Sequence, residues 1–350
     1  MTIKVAFIGF GGVGQALAEI FIEKKKKLIN AHDMEVSVVA VADLMKGSVY
    51  RPGGLEVKTV LECVRNDGSV ETYPDDHQTI KGWSSIETIE RCNADVIVEV
   101  TYTDVQTGEP AITHCHRAFE KGKSVITTNK GPVALAYKEL TEKAEANNVF
   151  FGFEGTVMSG TPALRLPVET LAGNHIKEIK GILNGTTNFI LTEMEKGMEY
   201  DKALEKAQQL GYAEADPTSD VEGYDIRYKT AILSSHVLGM PILHTDVSCE
   251  GITNLTMADV IEALEDGERW KLIARIINEG DTVKATVKPE RIPIQDSLAG
   301  ISGATNAIVF ECDLSGPIML TGAGAGLKET GFSLLIDLIH YKKRQTLAKI

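Results

Sequence analysis

Cysteine, tryptophan and basic residues are all scarce in this chain. Its 350 residues include 5 cysteines and 2 tryptophans, and 36 Lys and Arg stand against 49 Asp and Glu. Because the cysteines are odd in number and have no paired spacing, a disulfide scaffold is excluded and reduced thiols are predicted, as in a cytoplasmic protein. The formal net charge of −13 argues against the basic surface that a nucleic acid requires.

Long apolar runs are missing as well. No stretch reaches the roughly 20 apolar residues of a transmembrane helix, and there is no signal-peptide pattern. We therefore expect neither a membrane nor a nucleic acid as partner. A hydrophobic fraction of 43% and a charged fraction of 24% are typical of a globular protein, and the length allows about two domains.

A glycine-rich segment near the N-terminus carries the most information. The apolar run 3–8 is followed by Gly9, Gly11 and Gly14, in the spacing Gly-x-Gly-x-x-Gly, and then by helix-like sequence. Gly9 allows a tight turn, Gly11 lets the backbone approach a pyrophosphate, and Gly14 lets helix and strand pack closely. Free N–H groups at the helix N-terminus favour the anion. The segment predicts a dinucleotide site, with an ordinary glycine-rich turn as the alternative.

Strands and helices alternate as far as residue 153. Buried runs at 36–42, 94–100 and 124–128 are separated by helical sequence, which predicts a parallel doubly wound sheet. Residues 44–82, rich in glycine and charge, are predicted to be irregular.

From residue 154 the pattern becomes mixed. Alternating polar and apolar residues at 176–183 and 282–288 predict strands of an antiparallel sheet. Long amphipathic helices are predicted around 187–196, 201–210, 221–238 and 257–278. A second glycine-rich turn, ending at Gly326, precedes a last helix at about 329–342 and could return it to the cofactor.

Two polar segments of this second part point to chemistry. Residues 184–191 offer hydroxyls and amides at a helix N-terminus. An acidic loop with Glu214 and Asp220 leads into a helix on which Asp225 and Lys229 share a face. Such a cluster could hold an ammonium group with carboxylates and supply a proton from Lys229. The alternative is a surface ion pair that contributes about 0.3–0.5 kcal/mol.

These segments, and others across nearly the whole chain, resemble homoserine dehydrogenases. The most specific are Asn-Gly-Thr-Thr-Asn at 184–188 and Gly-Tyr-Ala-Glu-Ala-Asp-Pro at 211–217. Further matching segments are residues 127–130, 154–157, 225–229 and 322–326. The resemblance implies reversible hydride transfer between NAD(P)H and L-aspartate 4-semialdehyde, giving L-homoserine.

The resemblance also implies residue roles. Lys229 matches the proton donor to the developing alkoxide, and Lys130 matches a second lysine near the substrate oxygen and the nicotinamide. Substrate contacts are implied for Glu214, Asp220, Asp225, Lys130, Asn184, Gly185 and Thr186. Cofactor contacts are implied for Gly9, Phe10, Gly11, Gly12, Val13, Gly14, Asp43, Lys46, Thr101, Tyr102, Lys130, Gly211 and Gly326. A structural sodium ion is implied at Glu154, Val157, Ser159 and Thr161.

Coenzyme choice stays open at this point. Asp43 ends the second strand, where a carboxylate binds the ribose hydroxyls of NAD and repels a 2′-phosphate. Lys46, Arg51 and Lys58 follow closely and could bind that phosphate. The prediction is therefore NADP or NAD, without a preference.

The predicted architecture is α/β with two domains. Residues 1–153 plus about 321–350 would form a Rossmann-type doubly wound nucleotide domain, and residues 154–320 an α+β domain for substrate and dimerisation. The family resemblance implies a homodimer, and the length suggests a monofunctional enzyme without a kinase or regulatory domain.

Two other functions remain open from the sequence. One is another amino-acid oxidoreductase of the same two-domain plan, and the other is a non-catalytic nucleotide-sensing protein. Aspartate-semialdehyde dehydrogenase is disfavoured because it needs a nucleophilic cysteine. Cys115, the best candidate, lacks a matching motif and is predicted to be a small core residue.

Overall fold

The computed structural model describes residues 2–104 and 106–347. They form two compact units: the first extends to Thr156 and resumes at Gly326, and the second is Val157–Ala325. Within the described ranges, no helix is long and apolar enough to cross a membrane.

The first unit alternates strands and helices. Its elements before the second unit are β1 (Thr2–Ile8), α1 (Gly12–His32), β2 (Glu35–Asp43), β3 (Gly47–Tyr50), α2 (Val57–Asp67), β4 (Ile80–Lys81), α3 (Ser85–Arg91), β5 (Val96–Glu99), α4 (Ala111–Glu120), β6 (Ser124–Thr127), α5 (Lys130–Ala146) and β7 (Phe151–Gly152). The central strands are apolar on both faces because helices cover both sides of the sheet.

The sheet of the first unit confirms the predicted doubly wound fold. Its strand order is β4-β3-β2-β1-β5-β6-β7. The pairs β1–β2, β1–β5, β5–β6 and β6–β7 are parallel, and β3 and β4 extend one edge in antiparallel fashion. The order reverses between β1 and β5, so a crevice opens outside the carboxyl ends of these two strands.

The prediction that residues 44–82 are irregular is wrong. The segment contains β3, β4 and the eleven-residue helix α2. Val60 and Leu61 of α2 pack into the core of the unit, and the Glu56 side chain caps the helix by accepting from the Lys58 amide. The apolar positions at helical spacing were obscured by the charged residues between them.

The second unit is an α+β structure. Its elements are α6 (Arg165–Thr170), β8 (Ile176–Ile182), α7 (Gly185–Glu195), α8 (Tyr200–Gln209), α9 (Thr218–Val221), α10 (Tyr224–Val237), β9 (Ser248–Cys249), α11 (Met257–Glu265), β10 (Glu268–Asn278), β11 (Val283–Pro293), β12 (Thr305–Cys312) and β13 (Gly316–Ala323). The sheet order is β13-β12-β8-β10-β11-β9, and all recorded pairs are antiparallel except β9 with β11.

The helix predicted over 257–278 is only half correct. The helix α11 ends before Gly267, which adopts a left-handed φ of +74°, and β10 follows. Pairing with both β8 and β11 places β10 inside the sheet. The Asp-Gly step at 266–267 is a stop signal for a helix, and the β-branched and aromatic residues beyond it favour a strand.

The last helix, α12 (Leu327–Leu347), belongs to the first unit and packs against α1. A Cβ atom at Gly12 would come within 2.8 Å of Leu327 Cδ2, and one at Gly331 within 3.0 Å of the Leu17 amide nitrogen. Glycine at both positions permits this close approach of the two helices. Gly326, with a φ of +139°, therefore lies beside the glycine-rich turn.

Candidate active site

The glycine-rich turn lies at the crevice between β1 and β5. Gly9 has a φ of +87°, and its amide donates to the Ala42 carbonyl oxygen at 2.8 Å. A Cβ atom at Gly9 would lie 2.5 Å from the Val100 carbonyl oxygen, and one at Gly14 would lie 3.2 Å from that of Gly9. A Cβ atom at Gly11 would meet no described atom within 4 Å. Open space at Gly11 is what a pyrophosphate needs in order to approach the backbone.

Alanine substitutions at Gly9 and Gly11 should separate folding from coenzyme binding. Gly9→Ala combines a left-handed φ with backbone overlap, so we expect a loss of about 1–3 kcal/mol in the free energy of unfolding. Gly11→Ala should leave stability nearly unchanged and weaken NADH binding, because its methyl group occupies the open space. Urea unfolding and NADH fluorescence titration measure the two effects. An unaltered NADH affinity in Gly11→Ala would remove that residue from the pyrophosphate site.

Asp43 ends β2 and is tied to the glycine-rich turn. Its Oδ2 accepts from the Phe10 amide at 2.7 Å, and its Oδ1 accepts from the amides of Met45 and Lys46 at 3.0 Å. Burial raises the pKa of Asp43, but these hydrogen bonds and the Lys46 charge outweigh it and hold the pKa below its ordinary value. The carboxylate is therefore ionised at neutral pH.

The three basic residues that follow Asp43 in the chain, Lys46, Arg51 and Lys58, lie far apart in the structure. Lys46 Nζ lies 3.5 Å from Asp43 Oδ1. Arg51, however, donates its amide to Val39, four residues before Asp43, which places it about 13 Å along the strand. Its guanidinium pairs with Asp76 at 2.8 Å, and Lys58 lies in the first turn of α2 beyond it. Lys46 is thus the basic residue of this set that lies beside the Asp43 carboxylate.

The carboxyl ends of β5 and β6 carry Thr101, Tyr102 and Lys130. Tyr102 is 87% exposed, and Lys130 is half-buried as the first residue of α5. Glu99, the last residue of β5, is fully buried there and bonds to the Thr101 hydroxyl. Glu99 is not among the predicted site residues, although a carboxylate inside an apolar strand is unusual.

A separate polar cluster lies in the second unit, where β8 ends and α7 and α10 begin. Lys229 Nζ lies 2.7 Å from Asp225 Oδ2 and donates to the Leu183 carbonyl oxygen at 2.6 Å. Lys229 is 7% exposed and Asp225 8% exposed. The alternative of a surface ion pair is therefore wrong, because both charged groups are buried and each neutralises the charge of the other.

Asn184 joins the two carboxylates of this cluster. As the N-cap of α7 its side-chain oxygen accepts from the Thr187 amide at 2.9 Å. Its Nδ2 donates to Asp220 Oδ1 at 2.7 Å and to Asp225 Oδ2 at 3.1 Å. The Thr186 hydroxyl lies 3.1 Å from Asp220 Oδ2. The helix start thus fixes the positions of both carboxylates.

The charge of the cluster suits a cationic ligand. Burial and then the Asp225 charge raise the pKa of Asp220, against the lowering effect of its bonds to Asn184 and Thr186. When both carboxylates are ionised, they and Lys229 together carry one excess negative charge. A ligand ammonium would neutralise that charge and favour ionised Asp220.

Other predicted site residues of the second unit lie around this cluster or on loops. Gly185 starts α7 so close to Ala304 that a Cβ atom would lie 2.7 Å from its carbonyl oxygen. Glu214 is exposed, and its recorded hydrogen bond in the described chain is through its backbone carbonyl, which accepts from Gln208. Gly211 is exposed in a left-handed turn after α8. Glu214 is therefore not joined to Asp225 by the protein itself.

The residues predicted to bind sodium fall on one short segment. Glu154, Val157 and Ser159 are buried, while Thr161 is half-buried. Met158 and Ser159 both have left-handed φ values, 57° and 52°, which cost about 1–3 kcal/mol each outside glycine. Such a turn can direct successive carbonyl oxygens, the ligands that hard cations prefer. The donors present therefore fit the ion, and the site stays a prediction.

Cys115 is a core residue, as predicted. Its side chain is fully buried in α4, and burial followed by the charges of Glu99 and Glu109 raises the pKa of its thiol well above the ordinary value. A buried, protonated thiol is a poor nucleophile.

Two family models match this chain. The one described as homoserine dehydrogenase matches residues 162–339, and the one described as the homoserine dehydrogenase NAD binding domain matches residues 9–154. Together they cover both halves of the chain.

Two relatives match almost end to end. The NAD(+)-dependent homoserine dehydrogenase of Pseudomonas canavaninivorans is 43% identical over 98% of this chain and 97% of its own. The homoserine dehydrogenase of Methanocaldococcus jannaschii is 40% identical over 96% of this chain and 97% of its own.

Solved structures agree with the sequence matches. A homoserine dehydrogenase from Thiobacillus denitrificans has a TM-score of 0.85 at 32% identity, covering 99% of this chain and 74% of that one. A hyperthermophilic archaeal homoserine dehydrogenase in complex with NADPH has a TM-score of 0.83 at 30% identity, covering 98% of both chains.

Proposed function

The chain belongs to the homoserine dehydrogenase family, and from this premise we propose how its residues carry out the NAD(P)-dependent interconversion of L-aspartate 4-semialdehyde and L-homoserine. The buried cluster of Lys229, Asp225, Asp220 and Asn184 is the observation that carries the proposal. Neither alternative from the sequence, another amino-acid oxidoreductase or a nucleotide sensor, is favoured by the comparisons.

The first unit is proposed to bind the coenzyme. The nicotinamide, when bound, supplies the hydride that reduces the aldehyde carbon. Gly11 leaves room for the pyrophosphate, and the ionised Asp43 offers acceptors to the ribose hydroxyls. Thr101, Tyr102 and Lys130, at the same edge of the sheet, are proposed to border the nicotinamide side.

The second unit is proposed to bind the amino acid and to donate the proton. Asp225 and Asp220 offer oxygens to the substrate ammonium, and Glu214, exposed on its loop, is free to add a third carboxylate. As the aldehyde oxygen gains negative charge, the Lys229 ammonium gives it a proton, and in the reverse direction Lys229 takes that proton back. The Leu183 carbonyl and Asp225 hold its Nζ in place meanwhile.

Lys130 is proposed to act within the first unit, as a cation beside the nicotinamide at the start of α5. We further propose that a sodium ion, held by Glu154 and by oxygens of Val157, Ser159 and Thr161, fixes the segment that connects the two units in sequence.

A direct assay tests the reaction. Oxidation of NADH or NADPH is followed at 340 nm with L-aspartate 4-semialdehyde, and reduction of NAD or NADP with L-homoserine. Turnover in both directions supports the proposal, whereas coenzyme binding without turnover would favour the nucleotide sensor.

Coenzyme preference should respond to Asp43 and Lys46. Asp43→Ser removes the ionised carboxylate, so the ratio of kcat/KM for NADPH to that for NADH should rise about tenfold or more. Lys46→Ala should shift the ratio toward NADH. Arg51→Ala is the matched control, because its guanidinium lies far along the strand and should leave the ratio unchanged. All ratios are measured at one ionic strength, since salt screens exposed charges.

We propose that two copies associate through the sheet of the second unit. An open groove over β10 and β11 is lined by partly exposed residues that include Arg275, Ile277 and Thr286. Such a face can pair with itself about a two-fold axis. Light scattering should give twice the 38.0 kDa of one chain, and a value near one chain mass would contradict the proposal.

A further inference from the structure

The fully buried carboxylate of Glu99 has no part in the functions assigned so far. It lies at the carboxyl end of β5, where the sheet order reverses. His114 Nδ1 lies 3.2 Å from its Oε1, and the same oxygen accepts from the amide of Thr101 at 3.4 Å and from its hydroxyl. On the other side, Oε2 accepts from the side-chain amide of Asn129. A buried carboxylate persists only where donors surround it in this way.

Glu99 also reaches the loop between β6 and α5 through its backbone. The Thr127 hydroxyl donates to the Glu99 carbonyl oxygen at 2.8 Å, and the Asn129 amide donates to that hydroxyl at 3.0 Å. The backbone and the side chain of Glu99 therefore hold Thr127 and Asn129, two of the three residues that precede Lys130. The same carboxylate holds Thr101, so the two loops share one anchor.

The hydrogen bond from Asn129 to Glu99 takes the place of an ordinary helix cap. It occupies the N-cap position of α5, where an asparagine side chain normally accepts an amide of the first helical turn. In this helix the Asn129 side chain makes no capping hydrogen bond and turns to Glu99 instead. The start of α5, whose first residue is Lys130, is thus set by Glu99.

We propose that Glu99, acting through Asn129, is a positioning residue that holds Lys130 at the reaction site. This rests on the proposed role of Lys130. In this proposal the carboxylate touches neither substrate nor coenzyme. It fixes the backbone from which the Lys130 side chain extends, and it holds the Thr101 loop beside that backbone. A shift of about 1 Å in such a group can cost about a hundredfold in rate.

Asn129→Ser is the test variant. Serine is as good an N-cap as asparagine, but it is too short to reach Glu99. If the residue served only the helix, the variant would behave as wild type. If Asn129 connects Glu99 to Lys130, kcat should fall at least tenfold while NADH affinity stays close to that of wild type. The thermal midpoint should fall as well, because the buried carboxylate loses one donor.

A double-mutant cycle shows whether the effect passes through Lys130. In the Lys130→Ala background, Asn129→Ser should lower kcat no further, because the group that it positions is gone. Equal losses in both backgrounds, or a wild-type kcat in Asn129→Ser, would overturn the proposal. Wild type is assayed in the same series. If wild type shows no turnover, the proposed function itself is contradicted. If wild type and Asn129→Ser are equally active, only the positioning role is contradicted.

Discussion

Lys229→Ala should lower kcat by about 10²–10⁴ while NADH still binds, because the proposed general acid is lost and the proposed pyrophosphate and ribose contacts lie in the first unit. Lys229 is buried, and its Nζ is held by both Asp225 and the Leu183 carbonyl. Rapid-mixing turnover and NADH fluorescence titration measure the two effects. Lys202→Ala is the matched control, because this exposed lysine of the same unit pairs with the neighbouring Glu205 on the surface.

A second substitution separates charge from proton transfer. Lys229→Arg keeps a cation beside Asp225, but a guanidinium cannot give up its proton near neutral pH. We expect Lys229→Arg to be nearly as slow as Lys229→Ala. Near wild-type turnover in either variant would mean that the ammonium serves only as a charge partner.

Asp225→Asn should weaken homoserine binding and the fold together. A charge-assisted hydrogen bond contributes about 1.5–3 kcal/mol, so the KM for homoserine should rise tenfold or more. The buried ammonium of Lys229 would also lose its anionic partner, and removal of one partner of a buried pair costs up to about 3–5 kcal/mol. Steady-state kinetics and urea unfolding measure the two effects.

Glu214→Gln is the matched variant for Asp225→Asn. Glu214 is exposed, so its neutralisation should raise the KM for homoserine without a change in unfolding free energy. The double variant Asp225→Asn with Lys229→Met should recover stability but not turnover, since an apolar side chain needs no anionic partner. If only the coenzyme constant moved in these variants, neither carboxylate would hold the substrate.

Local sequence patterns were sufficient to predict two parts of this structure. Glycine spacing between a strand and a helix predicted the turn at Gly9–Gly14, and helical periodicity placed Asp225 beside Lys229. Both depend on residues a few positions apart, whose geometry the backbone itself determines. Fold class followed in the same way from the alternation of strands and helices.

The features that the sequence did not predict depend on contacts between residues far apart in the chain. Arg51 follows Asp43 closely in the chain, yet the antiparallel turn into β3 carries it away along the strand. In the sequence Glu99 is one more residue of a buried strand. Two of its hydrogen-bond partners, in α4 and in the loop after β6, are distant in the chain, so no local pattern reveals them. The burial of Lys229 likewise depends on Leu183, 46 positions earlier in the chain.

The place of α12 in the chain has a consequence for biosynthesis. Leu327 packs at Gly12, so the helix that covers the start of α1 is made only after the whole second unit. On a ribosome working at about 5–20 residues per second, the 169 residues of Val157–Ala325 take roughly 10–30 s to emerge. Throughout that interval the nascent first unit exposes the face of α1 that α12 will cover, so its core is completed only after the second unit has been synthesised.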